Sequence, residues 1–293
     1  TDLLNNVEMP RSSGYTTALR NIGSIRNSGF ELQLDGRIID RAVKWDLGVN
    51  FSLNRSKVLV LSEDKDIFGG ELDNTILKDQ LNLMRVGEPM YVFYGYVEDG
   101  YDENGHIVYK NMDDDPAITA ADKTIIGDPN PDFLVNLTTA VSYKGFTLSA
   151  FFQSSIGNDI YSLSMAAQAY DYGYNGNTLR EVYYNHWTPE NPTAKYPNLD
   201  QTSYKMSDRF VYDGSFVRLK NLELAYDVPC ARNKFIKRAR VYVSAQNLFT
   251  ITSYPFWDPD INANGGGSSM IQGVDSYCYP SARTYTIGCR LTF

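Results

Sequence analysis

Between Val43 and Leu53 the chain alternates without a break. Val43, Trp45, Leu47, Val49, Phe51 and Leu53 are apolar, and Lys44, Asp46, Gly48, Asn50 and Ser52 fall between them. Successive side chains of a strand point to opposite faces, so this register gives a strand with one apolar and one polar face. The pattern recurs. Phe30, Leu32 and Leu34 alternate with Glu31, Gln33 and Asp35, and a short polar connector around Asp40 follows. Phe133, Val135, Leu137, Val141 and Tyr143 share one parity, and the turn Lys144-Gly145 leads into Phe146, Leu148, Ala150 and Phe152. That is a hairpin with a tight turn. From Ser215 to Tyr226 the apolar parity slips between Leu219 and Leu222, which predicts a bulge. Ala239 to Gln246 and Tyr285 to Phe293 alternate again, giving seven strands in all.

The connectors alternate in length. Short links fall near Asp40, Lys144 and Pro229, and long ones cover about 57–132, 156–214 and 252–280. Tight turns at one rim and large loops at the other are the pattern of an outer-membrane barrel. No run approaches ~18 apolar residues, so no helix is expected to span a bilayer, and a closed barrel is the remaining way across. The composition fits: 22 Tyr, 14 Phe and 3 Trp coexist with a mean hydropathy of -0.35. A formal net charge of -8 leaves no basic surplus to meet phosphates, which argues against a nucleic-acid partner. Cys230, Cys278 and Cys289 are odd in number and widely spaced, so they form neither a disulfide framework nor a zinc set. The sequence opens at Thr1 with no apolar leader, which reads as a processed end or a piece of a longer chain. Seven strands leave open edges, so the remaining strands of the barrel are expected upstream.

Several runs, in their order and spacing, resemble one family. They are Asn21–Glu31 (NIGSIRNSGFE), Asp122–Phe133 (DKTIIGDPNPDF), Gly157–Tyr161 (GNDIY), Trp187–Pro192 (WTPENP), Val217–Leu222 (VRLKNL), Val241–Phe249 (VYVSAQNLF) and Tyr279–Arg283 (YPSAR). Together they resemble the C-terminal barrel portion of SusC/RagA-type TonB-dependent outer-membrane transporters. The resemblance implies an all-β fold, a transmembrane antiparallel barrel of 22 strands with an N-terminal plug that this chain lacks. It implies the outer membrane of a Gram-negative cell, its lipid as surroundings, and energy from the TonB complex through the missing N-terminal part. It further implies a SusD-like surface lipoprotein over the external mouth and a dimer of the transporter–lipoprotein pair. Glycan import is the activity expected first, with peptide import by the same mechanism as the alternative. A passive channel or adhesin barrel, and a secreted β-rich carbohydrate enzyme, stand as further readings.

Some residues carry candidate chemistry. Phe293, an aromatic end on an alternating strand, reads as an outer-membrane assembly signal. Asn111, Asp113, Asp115, Ala117, Thr119 and Asp122 occupy positions 1, 3, 5, 7, 9 and 12 of a calcium loop. Pro116 stands where that loop wants Gly, so structural Ca2+ competes with a solvated acidic loop, and no other cofactor is required. Tyr170, Tyr172, Tyr174, Trp187, Phe256 and Trp257 offer flat faces for sugar rings, and Asp258 and Asp260 could accept sugar hydroxyls. Catalysis finds little support. His106 and His186 lack metal spacing, no Gly-x-Ser-x-Gly elbow appears, and Gly265 to Gly267 are not followed by the Lys-Ser/Thr of a phosphate loop.

Overall fold

A computed structural model describes residues 3–8, 12, 14, 17–61, 65–73, 77–170, 177–230, 235–261 and 271–293, with side chains placed from Gly23 onward in the strands. Its body is one antiparallel sheet of eight strands in chain order. They are β1 (Leu3–Glu8), β2 (Thr17–Asp40), β3 (Val43–Leu61), β4 (Phe133–Tyr143), β5 (Phe146–Ile156), β6 (Phe216–Val228), β7 (Arg238–Thr252) and β8 (Thr284–Thr292). The sequence pattern gives seven; the eighth, β1, has no clean alternation. Asp40, expected in a connector, is the last residue of β2 and pairs with Lys44, so the turn is Arg41-Ala42 alone. The strand β3 runs to Leu61, past the expected start of the first long loop.

Register explains why one face is apolar throughout. Leu34 lies opposite Val49, Val49 opposite Leu137, Leu137 opposite Phe152, Phe152 opposite Leu219, and Leu219 opposite Phe249. Val243 continues to Ile287. Each apolar residue thus meets another across the strand, and a slip of one residue would turn a whole strand inside out. Many of these side chains are exposed, Ile287 at 88% and Phe30 at 58% among them. A contiguous apolar surface of this extent belongs against lipid.

Aromatic residues flank the belt. At the turn end, Phe146 packs on Tyr226 with ring centroids 4.5 Å apart. There Trp45 also donates its indole N–H to Thr139 Oγ1 at 2.9 Å, on the same lipid face. At the loop end, Phe51 lies 6.3 Å from Phe30 and 5.9 Å from Phe133. From Phe133 to Tyr143 the strand rises roughly 33 Å at ~3.3 Å per residue. Tilted by ~40°, that is a belt about 25 Å tall, the height of a barrel's hydrocarbon band.

The expected bulge is present. Leu219 and Asn221 pair with consecutive Phe152 and Phe151, so Lys220 is the extra residue on that side. On the other side Leu219 meets Phe249 while Asn221 meets Gln246. Asn247, inside this irregularity, has φ +51° and donates through Nδ2 to Ala282 O at 2.9 Å. Asn tolerates this left-handed conformation better than most residues. The bulge keeps Leu219 and Leu222, three apart, on the same face of the sheet.

The three long connectors fold together at the loop end. A four-stranded sheet (67–68, 82–84, 92–95, 124–127) and a three-stranded one (159–162, 211–213, 274–275) frame a shared core. Phe93, Tyr161, Met206 and Phe210 lie in it, and the helix α1 (Leu163–Tyr170) is buried along almost its whole length. Buried polar ties join the connectors. Glu98 accepts from Arg209 and from Ser207 Oγ, and Asn82 Nδ2 donates to Gln272 O at 3.0 Å. Tyr254 Oη donates to Asp275 Oδ2 at 2.5 Å, and Asp275 Oδ1 takes Ser164 Oγ at 3.2 Å.

Placing a charge at the middle of the lipid face should separate the two faces. Leu47→Arg is expected to destabilise the intact protein in a bilayer by about 2–4 kcal/mol, against much less for Thr138→Arg on the opposite face. Denaturant unfolding in lipid vesicles measures both; equal effects would contradict the assignment of faces.

Candidate functional site

The polar face is the wall of the lumen, and register orders it as strictly as the lipid face. Gln33 lies opposite Asn50, Asn50 opposite Asn136, Asn136 opposite Gln153, Gln153 opposite Arg218, and Arg218 opposite Thr250. Four side-chain amides therefore stand in one row across four strands, and the row ends on a cation and a hydroxyl. Each amide offers both donors and an acceptor. Toward the turns the wall becomes charged: Arg37 holds Asp46 at 2.8 Å, and Arg240 reaches Asp227 at 3.2 Å and Glu223 at 3.6 Å.

Arg218 is the most constrained member of the row. It is 1% exposed, and its guanidinium bonds to Asp258, to Thr250 Oγ1 at 2.8 Å and to Ser281 Oγ at 3.1 Å. Asp260 Oδ2 lies 3.3 Å from the same guanidinium and 3.8 Å from Lys220 Nζ, on the bulge. Asp258 also accepts the N–H of Asp260 and of Ser281, both at 2.9 Å. Burial pushes the Asp258 carboxyl up, but those N–H groups and the guanidinium outweigh it and hold it below the usual carboxylate range. One wall arginine thus pins both ends of the 253–283 connector.

Beside this pin is a cavity of about 280 Å³, lined by Asn136, Gln153, Asn158, Asp159 and Asp260 with apolar Pro129, Pro131 and Phe216. Burial, together with the nearby carboxylates of Asp128, Asp213 and Asp132, raises the Asp159 carboxyl, even though it accepts the Asp128 N–H at 2.9 Å.

The residues singled out in the sequence separate. Trp257, Asp258 and Asp260 come together, with Trp257 56% exposed and stacked on Phe256 at 4.8 Å. Asp258 is occupied by Arg218, and Asp260, which also faces Arg218 and Lys220, is the one of the three that lines the cavity. Trp187 lies apart, its ring packed on Gly105, whose φ of +80° and crowding exclude a side chain. Tyr170 is 5% exposed, stacked on Tyr204 at 3.7 Å and edge-on to Phe210, so it belongs to the loop core. Tyr172 and Tyr174 lie outside the described residues. Phe293 is 71% exposed and follows the last residue of β8. The amide row and Arg218 were not singled out from sequence; only a cross-strand register turns scattered Gln and Asn into a row.

The calcium-like loop is closed by its own backbone. Asn111 Oδ1, Asp113 Oδ1 and Asp115 Oδ1 accept the N–H two residues on, from Asp113 at 3.0 Å, Asp115 at 2.9 Å and Ala117 at 3.0 Å. Asp122 spends one oxygen on Met112 N–H and the other on Thr119 N–H, each at 2.7 Å, and Thr119 Oγ1 accepts from Ala121. These bonds, led by the one from Met112, lower the Asp122 carboxyl. Asp122 at position 12 caps the short 120–122 turn, and among the described residues no three His, Cys, Asp or Glu side chains are gathered as a metal-ligand group.

Two measurements bear on these contacts. Arg218→Met leaves Asp258 buried without its cation and is expected to cost about 3–5 kcal/mol, read as faster amide exchange across 253–283. Because the folded carboxyl of Asp258 is depressed, its contribution is present above the ordinary carboxylate pKa and lost as pH falls through the folded one. Protection in this connector, with the intrinsic pH dependence of amide exchange divided out, should stay flat from pH 8 to pH 5 and fall only below ~4. In the second loop, Asp122→Ala should loosen 111–122 while chelation with EGTA leaves its protection unchanged. A chelation-sensitive loop would instead assign the ordering to an ion.

No family model matches the chain. Curated relatives match along its whole length. It is 32% identical to TonB-dependent receptor P3 and 30% to TonB-dependent receptor P26, both of Formosa agariphila, and 28% to TonB-dependent receptor SusC of Bacteroides thetaiotaomicron. The chain spans 31%, 31% and 29% of those proteins, about a third of each. Among solved structures it aligns with the RagAB peptide transporter at TM-score 0.80 and 27% identity, covering 100% of this chain and 32% of that one. With the eight-stranded sheet, the lipid belt and the polar wall all in place, the chain is a barrel portion of a TonB-dependent receptor of the SusC/RagA type.

Proposed function

We propose that this barrel portion serves an importer in the outer membrane that takes up oligosaccharides, driven through the TonB complex and working beneath a SusD-like lipoprotein. Two such pairs would form the working dimer. The wall binds and guides cargo and the loops gate it; no bond chemistry is assigned to the chain.

The amide row carries the glycan reading. Gln33, Asn50, Asn136 and Gln153 are uncharged and each both donates and accepts, the requirement of a cargo rich in hydroxyls. Exposed Trp257 beside Asp260 adds the flat apolar face and acceptor that a sugar ring uses. A second reading, oligopeptide import, draws support from the likeness to the RagAB peptide importer, since a peptide backbone also pairs with amides.

Growth decides between them. A strain deleted for the full-length gene is expected to stop growing on neutral oligosaccharides as sole carbon source while still growing on the constituent monosaccharides. Loss of growth on peptides alone would move the assignment to the peptide reading. Collapse of the proton-motive force should abolish uptake within minutes, and uptake that continues would point to a passive channel.

A further inference from the structure

We infer that the cavity beside Arg218 is a subsite for a single neutral pyranose ring of the cargo; this deepens, and rests on, the glycan reading above. Three observations lead to it. The first is size. About 280 Å³ lies just under the ~300–1,000 Å³ of pockets that hold drug-sized ligands, so the space suits one ring rather than a run of them.

The second is an orphaned acceptor. Asn136 Oδ1 is shielded from solvent and receives no hydrogen bond among the described residues. Buried polar atoms are rarely left so, and each such exception asks for a partner. Asn136 lines the cavity directly opposite Gln153, so two amides face whatever enters. A turn of the Asn136 amide toward the cavity brings Oδ1 to a sugar hydroxyl, which supplies the missing donor and then accepts from an amide N–H. Asn158 holds its Oδ1 against Ser155 Oγ at 2.8 Å, which leaves its amide N–H groups for the ligand.

The third is charge. The nearby cation, Arg218, is spent on Asp258, Asp260 and two hydroxyls. An anionic group would meet the carboxylates of Asp159 and Asp260, the second already facing Arg218 and Lys220. Hydroxyls, which carry no charge and can donate to a carboxylate, suit both Asp159 and Asp260. The pyrrolidine faces of Pro129 and Pro131 offer apolar contact to the C–H face of a ring.

Saturation-transfer NMR on the detergent-solubilised full-length protein tests this with defined probes: the methyl pyranosides of glucose, galactose and mannose, and diglycine. At least one pyranoside should receive saturation, and diglycine should not. Asn136→Leu should weaken that signal at least five-fold, whereas Ser142→Leu, on the same wall far from the cavity, should leave it unchanged. Heat-modifiable migration on gels checks that both variants are folded barrels. Saturation of diglycine alone, of no probe, or of a pyranoside equally in Asn136→Leu would overturn the subsite. The deletion phenotype separates the two levels: lost growth on oligosaccharides with an unaffected Asn136→Leu signal sinks the subsite and leaves the import reading standing.

Discussion

A strand in hydrocarbon has no water to satisfy its N–H and C=O groups, so its neighbours must. The sheet's two faces follow from that requirement. Six long strands, β2 to β7, are paired on both edges, and the pairing is unbroken from Phe133↔Ile156 to Tyr143↔Phe146 in the central hairpin. Once the ladders are fixed, side chains have no freedom to choose a face. Val49, Leu137 and Phe152 must share one side, and Asn50, Asn136 and Gln153 the other. Where sequence breaks the period, the backbone gives way instead. Lys220 and Asn247 absorb the slip, and Leu219 and Leu222 keep to the apolar face.

The loop end obeys different physics. Beyond the belt, water is available, and the connectors hold together as a soluble domain does, by burying apolar surface. Val58 and Leu61 at the top of β3 are already covered by Met84 and Tyr91. The three connectors are long in sequence but share one core, tied by buried Glu98–Arg209 and by Tyr254, Asp275 and Ser164. Arg218 joins the two regimes. It is a wall residue by register and a loop anchor by contact, and its burial makes the third connector dependent on the sheet beneath it.

This division also sets what the sequence reveals. Strands from Val43 to Leu53 and Phe133 to Phe152 are legible because each has one wet and one apolar face, and period two follows directly. Even the bulge could be read, from Leu219 and Leu222 alone. The connectors were not legible as a folded body. Tyr170 and Trp187 look like loop aromatics free for ligand, but one is stacked on Tyr204 and edge-on to Phe210 and the other covers Gly105. Their partners are distant in sequence, and no local pattern announces them. The acidic run from Asn111 to Asp122 has a calcium spacing, yet the same short oxygen side chains also close turns onto their own backbone, which is how they are placed here.

The row of amides shows how the two faces constrain each other. Alternation fixes the lipid side residue by residue, and the lumen side inherits the same register at no further cost. A binding row can therefore be built from residues that are ordinary in sequence, one per strand, as Gln33, Asn50, Asn136 and Gln153 are. Changing the lumen side then requires substitutions on one parity only, because the opposite parity and the ladders are untouched. The limit on such change lies at Arg218. Altering it releases Asp258 and Ser281 and with them the third connector, so the amide row is free to vary while the cation at its end must stay.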